Sequence, residues 1–257
     1  MIQARPQTIS NALFDQVQLY VDHPEQVTDF GLRKLEREVE KLALVDAASA
    51  STIKAAIAAF RWDSGEVDYW TNNAIKLNKS FLVLANSAIN KGLVGNYSEA
   101  ADLIIQSIAL AENDSEAVLS ACHGLMFDLR FEEIIEISQK FVNYSDEFKS
   151  ISKECEVAIN ALEFLRISRD EVRQRIKHAS QVAKDFNTRI RSVDTCVVSD
   201  FEGEFSFVVA LEFFGDIHKE ITLDEALVEK FLDDKDWNPA KLSVEFRYMT
   251  SNELHTN

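Results

Sequence analysis

Residues 95–107 read GNYSEAADLIIQS, and thirty-four positions later residues 129–141 read LRFEEIIEISQKF. Superposed, the two segments align Gly95 with Leu129, Tyr97 with Phe131, Ala100 with Ile134, Ile104 with Ser138 and Ser107 with Phe141. Ala88 and Cys122, upstream at the same interval, supply a small residue on a preceding helix. Apolar residues three and four apart mark helices, and small residues at matched positions let two helices cross closely. Phe81 to Phe141 therefore reads as two successive helical hairpins.

Gly95-x-Tyr97-x-x-Ala100, with Ala88 before it, resembles the tetratricopeptide repeat. The second unit keeps the aromatic Phe131 but has Leu129 for the glycine and Ile134 for the alanine, and neither unit has the closing proline. The resemblance covers residues 81–148 and implies an antiparallel array of helical hairpins that holds a partner in its concave groove. In the family's frame, Leu82, Ala85, Ile89 and Leu93 face that groove from one hairpin. Leu119, His123, Met126 and Phe127 face it from the next. A groove so apolar is covered either by a peptide or helix of a partner or by the chain's own packing.

Working outward, a first helix begins after Ser10 or Asn11, buries Leu13, Val17, Tyr20 and Val21, and is stopped by His23-Pro24. A second starts near Asp29, with Leu32, Leu35, Val39 and Leu42 on one face and Arg33, Glu36, Arg37, Glu40 and Lys41 on the other. Helices around Ser51–Arg61 and Glu66–Leu77 form a further hairpin, in which Ala55, Ala56, Ala58 and Ala59 permit close backbone approach. After the central pair come a helix over Phe148–Leu165 and, capped by Ser168 with Glu171 three residues on, another over Arg169–Phe186. These make about ten helices, expected to pair as an antiparallel array.

The pattern changes near Asn187. Residues 193–199 and 205–214 are rich in β-branched and aromatic residues, with Glu202-Gly203 between them as a hairpin turn. A second turn at Gly215-Asp216 is expected to lead into a strand over Ile217–Thr222. A short helix over Leu223–Leu232 and a last strand over Leu242–Tyr248 follow. The expected architecture is mostly α with an α+β tail: a helical repeat domain over 1–186, then a small antiparallel sheet plus helix over 187–257.

With 46% hydrophobic and 27% charged residues the composition is globular, and the net charge of −16 argues against a broad surface for nucleic-acid phosphates. Cys122, Cys155 and Cys196 are odd in number and lack metal-ligand spacing, which fits reduced thiols. No apolar run near Met1 is long enough for a signal peptide or membrane span, so a cytoplasmic location is expected.

Few residues are arranged for chemistry. Arg173 and His178 form an R-x4-H pair on a helix, resembling the helical ribonucleases of the HEPN class, though Gln174 departs from that family's pattern. Five helical steps also set the two side chains about 140° apart. His218 and Glu220 alternate on the predicted strand near Asp216, but no second histidine stands at a metal-ligand interval. Cys122-His123 has no acid or base partner in sequence. Arg166, Arg169, Arg173, Lys177 and Lys184 form a basic stripe, while residues 199–237 hold twelve acids against three lysines. The reading is a non-enzymatic interaction module (adaptor, chaperone or antitoxin-like inhibitor) with a protein partner and neither cofactor nor metal. The alternatives are a HEPN-like ribonuclease using Arg173 and His178, or an acidic polyanion mimic.

Overall fold

A computed structural model of the chain describes residues 6–111, 114–199, 204–214, 217–232 and 238–249. With seven glycines and three prolines in the chain, most helix starts are set by side-chain caps. Thr28, Asp46, Asp63, Ser80, Asp114, Ser145 and Ser168 each accept a hydrogen bond from a first-turn amide of the helix that follows. Each bond satisfies an amide that has no partner within its own helix.

The chain divides into two units, Met1–Glu112 and Asn113–Asn257. The first contains α1 (Pro6–Asp22), α2 (Asp29–Ala43), α3 (Ala47–Phe60), α4 (Ser64–Leu77), α5 (Phe81–Gly92) and α6 (Tyr97–Ile108), with a 3-10 turn at Pro24–Gln26 between α1 and α2. Its core joins Leu13 and Tyr20 of α1 to Leu32, Leu35, Val39 and Leu42 of α2 and to Ile53, Ile57 and Phe60 of α3. The alanine-rich α3 is buried on nearly every side and packs against α1, α2, α4 and α5. Small side chains permit this, because they let several helix backbones approach one another.

Helical turns of one kind recur along the chain. Trp62, Gly95, Leu129, Arg166 and Asn187 all take the left-handed conformation, with φ between 49° and 83°. At each, the following amide donates to the carbonyl five residues back: Asp63 to Ala58, Asn96 to Lys91, Arg130 to Leu125, Ile167 to Leu162 and Thr188 to Ala183. This is the Schellman closure of a helix. Gly95 and Leu129, paired in the sequence repeat, are thus the same structural position, although leucine lacks glycine's freedom there.

The second unit contains α7 (Ser115–Met126), α8 (Phe131–Phe141), α9 (Asp146–Leu165), α10 (Arg169–Asp185), β1 (Ile190–Ser199), β2 (Phe205–Phe213), α11 (His218–Leu232) and β3 (Leu242–Tyr248). α8 lies along α9, α9 packs against β1 and β2, and α10 packs against α11 and β3. The sheet order is β1-β2-β3. Helices thus fill the described chain to Asp185 and the strands begin at Ile190, which is the mostly α architecture with an α+β tail.

Two details of the tail differ from expectation. The sheet is mixed: β1 and β2 pair antiparallel, with Val193 opposite Leu211, but β3 runs parallel to β2, with Val209 opposite Val244. A parallel neighbour requires a crossover connection, and α11 provides it. The strand expected over Ile217–Thr222 is instead the start of α11. Its period-two alternation is overridden by the helical phase of Leu223, Leu227 and Phe231, all buried. The turns expected at Glu202-Gly203 and Gly215-Asp216 lie outside the described residues.

Candidate partner-binding site

The expected groove residues are divided between the two units. In the first, Leu82 and Ile89 stand on α5 with 67% and 47% of their surface exposed. Leu93, just past α5, is half-buried against the core of α1–α3. In the second, Met126 is buried and lies 4.0 Å from Cys155 Sδ to Sγ, Leu119 and Phe127 are half-buried, and His123 is exposed. Leu82 and Ile89 therefore offer apolar surface on one helix, whereas Met126 belongs to a core.

Arg173 and His178 have different surroundings. The Arg173 Nε donates to the Asp128 carbonyl at 3.0 Å and lies 3.3 Å from its carboxylate, and Nη1 donates to Asp170 at 3.0 Å. His178 lies against the Phe231 ring of α11, with ring centroids 6.1 Å apart. Asp128, itself buried, also accepts from Arg130 Nε at 2.7 Å. Arg169 grips Glu132 with both terminal nitrogens and covers the Phe131 ring. Two members of the basic stripe thus fasten the α7–α8 turn and the start of α8 to α10. Between α10 and α11 the polarity is reversed, with Lys230 lying 3.9 Å from Asp185.

The remaining candidates also have structural surroundings. Burial pushes the Cys122 and Cys155 thiols up to about 12, which keeps them protonated and unreactive. His218 is exposed on α11, while Glu220 and Asp224 of the same helix turn toward β3. The Tyr248 amide donates to Glu220 at 2.7 Å and the Phe246 amide to Asp224 at 2.8 Å. Burial raises the Asp224 carboxyl to about 6, against the opposing effect of the Phe246 amide. These bonds occupy amides on the outer edge of β3 that would otherwise be free to pair with another chain.

β1 is the other outer strand, and among the described residues no strand pairs with its outer edge. Between β1 and α9 runs a groove of about 300 Å³, lined by Ser150, Lys153, Glu154, Val157 and Ala158 of α9, Thr195, Cys196 and Val197 of β1 and Phe207 of β2. Val157 is exposed on its wall, and two turns further along α9 the exposed Phe164 meets Phe205 edge to face, with centroids 5.9 Å apart. Sequence reading did not find this site. Its one signal was that Val157 and Phe164 fall outside the buried phase of Phe148, Ile151, Cys155, Ala158 and Leu162.

Comparison of the chain with family models, with curated proteins and with solved structures gives no significant match. Among the described residues, no helix is long and apolar enough to cross a membrane.

Proposed function

We propose that this protein is a non-enzymatic, tetratricopeptide-like interaction protein that captures an extended segment of a partner protein. The recurring left-handed hairpin turns support the repeat reading. The observation that carries the binding reading is the α9–β1 groove, lined by apolar and polar side chains beside an edge of β1 with which no described strand pairs, with α7 also packed against β1. An extended peptide added to such an edge gains main-chain hydrogen bonds, while alternate side chains enter the groove and set selectivity. Val157 supplies an exposed apolar anchor on the groove wall, Phe164 and Phe205 add exposed aromatic surface two turns further along α9, and Leu82 and Ile89 offer a further apolar patch on α5.

The test is affinity capture from native lysate with mass spectrometry, run beside thermal melts. Val157→Asp and Phe164→Asp are expected to lower the melting temperature only slightly, because Val157 is half exposed and Phe164 is 72% exposed. Both variants are expected to lose the captured protein, since binding energy concentrates on such anchors. Ile89→Asp reports on the α5 patch in the same way. Undiminished capture by all three variants at normal stability would overturn the reading.

A further inference from the structure

α11 carries two apolar stripes where a helix covering a sheet needs one. Leu223, Leu227 and Phe231 form the first and are buried. The second consists of Ile217, Ile221, Val228 and Leu232, which are 57%, 66%, 46% and 70% exposed. At ~100° per residue these four lie within an arc of about 60°, along a line roughly 22 Å long. Two exposed apolar pairs on one line, Ile217 with Ile221 and Val228 with Leu232, either side of Asp224 and Glu225, are distinct from the single exposed leucine of an ordinary surface.

The charges beside the stripe restrict what can cover it. Glu225 and Glu229 border it on one side, both exposed and with no ion pair among the described residues. Glu220 and Asp224, on its other side, turn toward β3 and accept the Tyr248 and Phe246 amides, so they do not face a ligand on the stripe. Lys219 and Lys230 lie on the far side of the helix by the same ~100° rule. The stripe is therefore bordered by exposed carboxylates along one margin. A second copy of this helix would set carboxylate against carboxylate, and an anionic membrane surface would be repelled.

We propose that this face of α11 is a docking site for an amphipathic helix of a partner protein that carries Lys or Arg on the side of its apolar stripe that meets Glu225 and Glu229. The apolar residues bury the partner's leucine-type anchors, and the acidic margin of Glu225 and Glu229 orients it and excludes acidic competitors. The site is separate from the α9–β1 groove and does not depend on it.

The experiment uses the full chain and a labelled synthetic helix of about four turns, with Leu at i, i+4, i+7 and i+11 and Lys flanking that row. Fluorescence anisotropy is expected to give saturable binding that weakens as salt is raised. Ile221→Asp, Val228→Asp and the paired Glu225→Gln, Glu229→Gln variant should each weaken it about tenfold or more. These side chains are exposed, so circular dichroism should be unchanged, and Val157→Asp should bind as wild type does. A peptide of the same composition in scrambled order controls for general attraction to a chain of net charge −16. Equal binding of the scrambled peptide, or wild-type affinity in Ile221→Asp, overturns the proposal. So does a dimer in light scattering that Ile221→Asp dissociates, or binding to anionic vesicles that Ile221→Asp abolishes.

Discussion

Arg166 and Gly95 occupy the same kind of left-handed turn, with φ of 56° and 83°, and differ only in the side chain placed there. A non-glycine residue pays about 1–2 kcal/mol in that conformation, partly offset by glycine's greater freedom in the unfolded chain. Arg166 is exposed, so Arg166→Gly is expected to stabilise the protein by about 0.5–1 kcal/mol and Gly95→Ala to destabilise it by about 1 kcal/mol. Urea melts of the two variants check both signs. Asp224 gives a prediction that depends on pH. Its folded-state carboxyl titrates at about 6 against an ordinary 3.8, so between those values the folded chain holds the proton more tightly than the unfolded chain does. Stability from this group is therefore greatest below about 4 and falls as pH rises to about 6. Asp224→Asn keeps an oxygen to accept the Phe246 amide and removes the charge. Above pH 6 it should be more stable than wild type by on the order of 1–2 kcal/mol, after allowance for partial exposure. Below pH 4 the advantage should vanish, and melts on either side of that window would show a pH-independent difference if the assignment were wrong.

The connection of α10 to the α7–α8 turn rests on buried Asp128, which receives Arg130 and Arg173. Removing one member of a buried charged pair leaves the others without compensation, so Asp128→Ala should cost about 2–3 kcal/mol, given that both arginines are partly solvated. Arg173→Ala should likewise lower the melting temperature, which a purely catalytic arginine would not do. Comparison of the elements shows what could be read in advance. The ten helices were visible because caps such as Ser168 with Glu171 and period-3.6 faces such as Leu32-Leu35-Val39-Leu42 are local features of sequence. The parallel placement of β3 was not visible, because strand direction is decided by what α11 packs against, and that lies far away in sequence. Residues 217–222 satisfied both a period of two and a period of 3.6, and only the continuation through Leu227 and Phe231 decides for helix. The α9–β1 groove was hidden for a related reason. Each of its walls is unremarkable alone, and the site exists only where Val157 and Val197 come together.

The change from helix to strand near Asn187 falls inside the second unit, where α9 packs directly on β1 and β2. Composition registers a change of element type, whereas a cooperative unit is defined by which residues share a core. The main core of the first unit is closed within itself. Leu13, Tyr20, Leu32, Leu35, Val39, Leu42, Ile53, Ile57 and Phe60 all precede residue 112. Lys91 adds a link among its helices by pairing with Asp68 of α4, at 2.6 Å, and with Glu99 of α6. Burial opposes the charge on Lys91, but the two carboxylates outweigh it and hold the amine above its ordinary value. Residues 1–112 expressed alone should therefore give a helical circular dichroism spectrum and one cooperative thermal transition. Within that fragment, Val39→Ala should lower the midpoint clearly, because the side chain is wholly buried and its loss opens a cavity. Leu82→Ala, on the exposed face of α5, should leave it nearly unchanged. A fragment that melts without cooperativity, or in which the two substitutions have equal effects, would show that the first unit depends on the second for its fold.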